Sequence, residues 1–342
     1  MQVCLEFVGA LLLLFLIVFA CSLFTNAIEH LALEYKFGKN AVGSIFAALG
    51  TTAPETIVPL VAIIGGLIAG NSDVANEIGI GAILGSPFLL STITFFFMGV
   101  GIYIFKWAKS RKSLNIEIDK SYIARDFKFF FVNYFVAIGA SFAPVRVVKL
   151  IALVFLLASY VFYFVQTLSS AKKSGDVDSE IEELVLSKIC KFNKRFVIFI
   201  QVFLSLAFLI LCAHLFVLKI KFFADFLHIQ PLILSLIIMP IATELPENVN
   251  SLIWLKQEKD TFALSNITGA MVFQSAIPMS IGILFTPWVF DINGLANIIC
   301  VVLSSAILYF AFICKKQISA KVFLFGGLFY LVFILFVLRN LF

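Results

Sequence analysis

Apolar runs long enough to cross a bilayer recur along the whole chain and restrict its folding more than any other feature. A hydrocarbon core about 30 Å thick takes roughly 20 helical residues. Inside it every backbone N–H and C=O must be paired, which for runs of this length means the α-helix. Ten runs are centred on residues 5–24, 42–67, 78–105, 129–142, 150–167, 196–217, 231–254, 262–286, 294–313 and 322–338, the fourth being the shortest. Only 13% of residues are charged, against about 25% in soluble chains. The reading is an all-α integral membrane protein in contact with a lipid bilayer.

The first run has no Lys or Arg in its leading "MQVCLEF" and no small-residue cleavage site after it, so it reads as a retained span rather than a signal peptide. The six cysteines include no C-x-x-C pair and point to neither a disulfide framework nor a zinc site. The net charge of +5 is explained by where the basic residues fall, with no call on nucleic acid. The loops after odd-numbered runs hold 20 of the 25 Lys and Arg, leaving Arg146, Lys149, Lys219, Lys221 and Arg339. The positive-inside rule then places odd loops in the cytoplasm and both termini outside, in the plasma (inner) membrane. Trp107, Trp254 and Trp288 fall near run ends, where indole favours the interface.

The longest polar stretch, residues 169–195, lies between the fifth and sixth runs and divides the chain into a first half at 1–168, a cytoplasmic charged linker and a second half at 196–342. Within the linker, "DVDSEIEEL" lacks the spaced ligands and turn glycine of a calcium loop and reads as a solvated charged helix. The halves match internally. "GTTAPE" (50–55) on the second run corresponds to "ATELPE" (242–247) on the seventh, and "GAILGSPFLLS" (81–91) on the third to "SNITGAMVFQS" (265–275) on the eighth. Five runs per half make the second copy enter the membrane from the opposite side. The expected fold is therefore ten transmembrane helices as two inverted five-helix repeats, with helices 2 and 7 broken by proline. Such repeats are a transporter architecture with a site near the midplane.

Pro54 and Pro246 withdraw the N–H that the carbonyls of Gly50 and Ala242 would accept, and an orphan carbonyl is tolerated at membrane depth only where it lines a cavity. Thr51 and Glu55, like Thr243 and Glu247, are four apart and share a helix face. Each motif gathers a carbonyl, a hydroxyl and a carboxylate. A carboxylate at the bilayer centre costs about 2.5–3.5 kcal/mol on insertion scales, and no Lys or Arg lies within runs 2, 3, 7 or 8 to neutralise it. The missing countercharge is a bound cation or a proton. Oxygen donors suit hard ions such as calcium, sodium, magnesium or manganese.

These paired motifs resemble the alpha-repeats of the calcium/cation antiporter superfamily, the sodium/calcium exchanger family, whose pattern runs approximately G-T-S-x-P-E and then a glycine-rich G-N-x-x-G-S-N or G-S-D. The resemblance implies that Glu55 and Glu247 are the paired cation-binding carboxylates, with Thr51, Thr52 and Thr243 as supporting oxygens. Pro87 and Met271 stand where the family places a ligating Asn or Asp, and Glu244 stands where it has Ser or Thr. Ser86 and Asn266 are either ligands or helix–helix hydrogen-bonding groups, and Gln274 is one turn past Met271. Gly81, Gly85 and Gly269 are expected at close-packed positions, Asp73 and Glu77 at the entrance, His30, His214 and His228 at the interface, and the abundant Phe against lipid.

The expected function is secondary active antiport of inorganic cations, calcium against sodium, by alternating access at the paired glutamates. A proton-coupled calcium or manganese antiporter is the variant within the class. A passive cation channel or a non-transporting membrane protein is the alternative outside it. No set of groups suggests an enzyme, and no cofactor is expected.

Overall fold

The computed structural model describes residues 2–35, 50–70, 72–116, 118–173, 183–188, 193–314 and 318–341. Helix α1 (Gln2–Glu34) opens the chain. Gly50 and Thr51 lead through a turn at Thr52 into α2 (Ala53–Ala69), which Gly70 closes with a left-handed φ of 69°. Next come α3 (Ser72–Leu89), a π-helical turn at Leu90–Thr94 and α4 (Phe95–Trp107) in one continuous rod. Then follow α5 (Lys120–Ser141), α6 (Arg146–Lys173), a 3-10 turn at Val185–Lys188 and α7 (Lys194–Leu227). The chain continues through α8 (Pro231–Thr243), α9 (Leu245–Lys256), α10 (Asp260–Phe285), α11 (Ile292–Cys314) and α12 (Ala320–Leu341).

Local chemistry sets the breaks. Pro231 sits in the first turn of α8 and Pro246 in the first turn of α9, where a missing N–H costs nothing. Glu244 ends α8 and precedes α9, so the seventh apolar run is two helices meeting at the carboxylate. Pro54 likewise lies in the first turn of α2, so the chain breaks at Thr52 rather than within a longer α2. Asp119 caps α5 by accepting from the Ser121 N–H at 2.9 Å. The fourth run is part of a helix that begins nine residues earlier than the apolar pattern, at Lys120, because the mixed polar and apolar residues at 120–128 continue the helix with Ile123 and Phe127 buried in the core.

Seven helical stretches among the described residues are long and apolar enough to cross a membrane, with Ala53–Ala69 and Pro231–Ile241 as shorter apolar helices. The protein is an all-α membrane protein. The candidate span of α10 is 78% buried and that of α6 only 17%, so α10 is central while α6 turns Val147, Ile151, Val154 and Phe162 outward.

Helix α3 packs closely on α8. A Cβ on Gly81 would fall 2.0 Å from Ser235 Oγ and 2.4 Å from the Leu232 carbonyl, and one on Gly85 would fall 2.3 Å from the Leu236 carbonyl. The two glycines thus let the α8 backbone approach α3, as small residues do between membrane helices.

Away from the centre, Arg111 makes a buried two-pronged pair with Asp260, 2.6 Å on each prong, and donates to the carbonyls of Leu255, Ser113 and Asn115. Strands β1 (Asn115–Ile116) and β2 (Ile318–Ser319) pair antiparallel nearby. One loop therefore fastens the ends of α4, α9, α10 and α12.

Three expectations are corrected. Trp288 is fully buried, donating its indole N–H to the Ala137 carbonyl at 2.8 Å against the open side of Gly282, while Trp107 is 86% exposed. His30 is buried rather than interfacial. Many phenylalanines face inward: Phe88, Phe95, Phe127, Phe130, Phe312, Phe323 and Phe333 are all part of the main core, where ring edges and faces interlock. An apolar solvent removes the penalty for exposing Phe, so its abundance does not indicate which face it covers.

Candidate cation site

The two breaks in the helices meet in space. Helices α2, α3, α8, α9 and α10 pack around one another and bring Glu55, from the first turn of α2, beside Glu244 at the α8–α9 break and Glu247 in the first turn of α9. Each offers one carboxylate oxygen, and the three oxygens lie within 4.8 Å of one another. All three side chains are buried, 2%, 0% and 1% exposed respectively.

Both oxygens of Glu55 and one of Glu244 lack a hydrogen-bond partner, and none of the three glutamates has an ion-pair partner among the described residues. The Thr51 hydroxyl lies against Glu247, though not in a well-formed hydrogen bond to either oxygen. Glu244 accepts at Oε1 from Gln274 Nε2 at 2.7 Å, with the Ser86 hydroxyl also against it. Two full charges at 4.8 Å repel by about 3–4 kcal/mol at an effective dielectric near 20. Three such pairs make a dry, fully ionised triad expensive, and the centre is chemically a receptor for positive charge.

The sequence-selected residues divide. Glu55, Glu244, Glu247, Thr51, Ser86 and Gln274 converge, and Gln274 Oε1 and the Thr243 hydroxyl are buried there without partners. Thr52 is buried at the turn before α2. Asn266 donates to the backbone carbonyl of Glu247 (3.1 Å) and to Ser251 Oγ (3.0 Å), pinning α10 to α9 rather than presenting its amide to the carboxylates. Gly269 faces the Tyr163 hydroxyl on α6. Glu77 lies near Asp73, Asp291 and the backbone of Leu232.

The Gly50 carbonyl is not left to solvent. Cys21 on α1 donates its thiol toward the carbonyls of Gly50 and Thr51, 3.5 Å from each. It lies close enough to feel the charges of Glu55 and Glu247. No spacing in the sequence pointed to Cys21, because its place depends on how α1 crosses the second repeat motif's partner.

The fold defines a polytopic membrane protein, and the buried triad at the junction of broken helices is its candidate ion site. The model of the sodium/calcium exchanger protein family matches residues 5–168 and 197–342. The chain belongs to that family, whose members are membrane cation antiporters rather than enzymes. A search of curated proteins finds no match. Among solved structures, the chain is similar to the H+/Ca2+ exchanger CAX at a TM-score of 0.73, with 16% identity over 97% of this chain and 82% of that one. It is similar to the sodium-calcium exchanger NCX_Mj at 0.59, with 20% identity over 97% and 98%. Native YfkE gives 0.66, with 14% identity over 98% and 92%.

Proposed function

We propose that the protein is a secondary active antiporter that exchanges calcium against sodium by alternating access at Glu55 and Glu247. The observation that carries this is the buried triad of carboxylates without fixed cations. A divalent ion or several monovalent ions restore neutrality in turn, so the two substrates compete for one set of oxygens. Thr51, Thr52, Thr243, Ser86 and the carbonyls of Gly50 and Ala242 complete the oxygen shell, and Asn266 contributes through the carbonyl it holds.

The proposed architecture is ten spans in two inverted repeats, 1–168 and 196–342, around the linker at 169–195. Helix packing supports it, because contacts recur with the halves exchanged. Helix α2 on α3 is matched by α9 on α10, and α8 on α3 by α2 on α10. Likewise α5 on α10 is matched by α11 on α3, and α5 on α6 by α11 on α12. The bias of Lys and Arg to odd loops supports both termini outside and the linker in the cytoplasm, in a plasma (inner) membrane. Impermeant labelling of single cysteines added at residue 2 and in the linker tests this directly.

A second reading, proton-coupled export of calcium or manganese, is favoured by Glu244, a third carboxylate held by Gln274, where the resemblance to the family leads one to expect Ser or Thr. The deciding experiment is radiolabelled calcium uptake into proteoliposomes under an imposed sodium gradient and then a proton gradient, with Glu55→Gln and Glu247→Gln beside wild type. Uptake driven by sodium and lost in both variants supports the first reading, and uptake driven only by protons supports the second. Calcium movement without counterflow identifies a passive channel, and no movement in correctly inserted protein rejects calcium.

A further inference from the structure

The end of the linker makes a contact that the exchange reaction does not require. Residues 183–188 lie across the ends of α1 and α7, and five hydrogen bonds hold the joint. Asn26 Nδ2 donates to the Glu183 carbonyl at 3.3 Å, and the Val185 N–H donates to Asn26 Oδ1 at 3.2 Å. The Leu186 N–H donates to Gln201 Oε1 at 2.8 Å, while Gln201 Nε2 donates to the Leu23 carbonyl and Asn26 Oδ1, both at 3.0 Å. Leu184 is 2% exposed and packs with Val197 and Ile198 of α7, alongside Leu31 of α1. This small apolar cluster is separate from the main core.

Asn26 and Gln201 are themselves buried, and their amides pair with the backbone of this segment, with the Leu23 carbonyl of α1 and with each other. The first N–H groups of a helical turn have no partner within it, and these two side chains accept from those of Val185 and Leu186. The same part of α1 reaches the cation site. Cys21, about one turn before Asn26, donates to the Gly50 and Thr51 carbonyls, and a Cβ on Gly50 would fall 2.6 Å from Thr25 Oγ1 and 2.7 Å from Thr25 Cα. Helices α1 and α7 pack along each other, and their cluster meets α2 and α8. Whatever holds the linker end of α1 and α7 therefore also holds α1 against the chain that enters the carboxylate site.

We propose that residues 183–188 form a regulatory staple: docked on Asn26 and Gln201, the segment clamps α1 to α7 and restrains α1 at the Gly50–Thr51 carbonyls, so that its release speeds cation exchange. The proposal rests on the antiport reading for its flux readout, and on the contacts alone for its conformational one.

The test uses the full chain in proteoliposomes with Leu184→Ser, and with the milder Leu186→Ala in case the first variant inserts poorly. Two readouts are taken: initial calcium exchange rate, and the rate at which N-ethylmaleimide labels Cys21, followed by peptide mass spectrometry. The expected result is at least threefold faster labelling of Cys21 and at least threefold faster exchange, with calcium affinity within twofold of wild type. Faster exchange with affinity unchanged separates a restraint from damage to the site. Cys21 labelling unchanged in both variants overturns the proposal, as does faster labelling with unaltered exchange, which would make the segment an anchor only. If the wild type exchanges no calcium under either gradient, the antiport reading fails, and Cys21 labelling still decides whether the staple restrains α1.

Discussion

At the scale of single residues, the protein concentrates its cost in three glutamates. Each forfeits hydration, and proximity adds repulsion, so removing one charge alters which ions can restore neutrality. Truncating one partner of a buried charge pair costs about 3–5 kcal/mol, or roughly 10²- to nearly 10⁴-fold in affinity. Glu55→Gln and Glu247→Gln are each expected to lower calcium exchange by about that factor, read as flux per inserted protein. Glu244→Gln should reduce calcium exchange less and change its pH dependence more, because Glu244 is already engaged by Gln274. Equal losses at all three positions would make Glu244 a ligand of the same rank. Arg111, buried against Asp260 with a 2.6 Å contact, provides a structural counterpart remote from the triad. Arg111→Ala removes the two-pronged guanidinium from buried Asp260, and a loss of up to about 3–5 kcal/mol in stability is expected, measured by thermal unfolding in detergent.

At the scale of elements, helix ends and crossings govern. The α3–α8 crossing depends on Gly81, where a new Cβ would meet both a hydroxyl and a backbone carbonyl. Because a backbone cannot rotate away as a side chain can, Gly81→Val should destabilise by at least about 1–3 kcal/mol and separate Ser86 from Glu244. Loss of thermal stability together with calcium affinity is the expected pairing. At the start of α5, the Ser121 hydroxyl and N–H hold the Asp119 carboxyl below its ordinary range. A depressed folded-state value means that the cap stabilises at neutral pH. That contribution begins to fall as pH drops below about 4, the ordinary aspartate value, and is lost through the lower folded one. Asp119→Ala should remove this portion of the acid dependence, read as amide exchange over residues 120–123.

Over the whole molecule, packing contacts that recur with the halves exchanged bring both helix breaks to one centre, while the linker sends a segment back onto α1 and α7. Much of this was legible in the chain. Uninterrupted apolar length requires helices in lipid, since no water is present to pair the backbone, and a proline with a glutamate four residues after a threonine marks a break that must line a polar site. Those facts single out Glu55 and Glu247 as candidates, and the resemblance to the family pairs them. The sequence could not show that Asn266 spends its amide on the Glu247 carbonyl, that Trp288 is sealed against Gly282, or that Cys21 caps the carbonyls before α2. Nor could it show which of the phenylalanines are interior. In a membrane both faces of a helix are apolar, so hydrophobic pattern loses the power to distinguish core from surface. The medium, the helices and the acidic breaks were determined by local composition and covalent geometry. The partners of each side chain were decided only when distant helices packed, because small-residue contacts and polar satisfaction act between segments rather than along one.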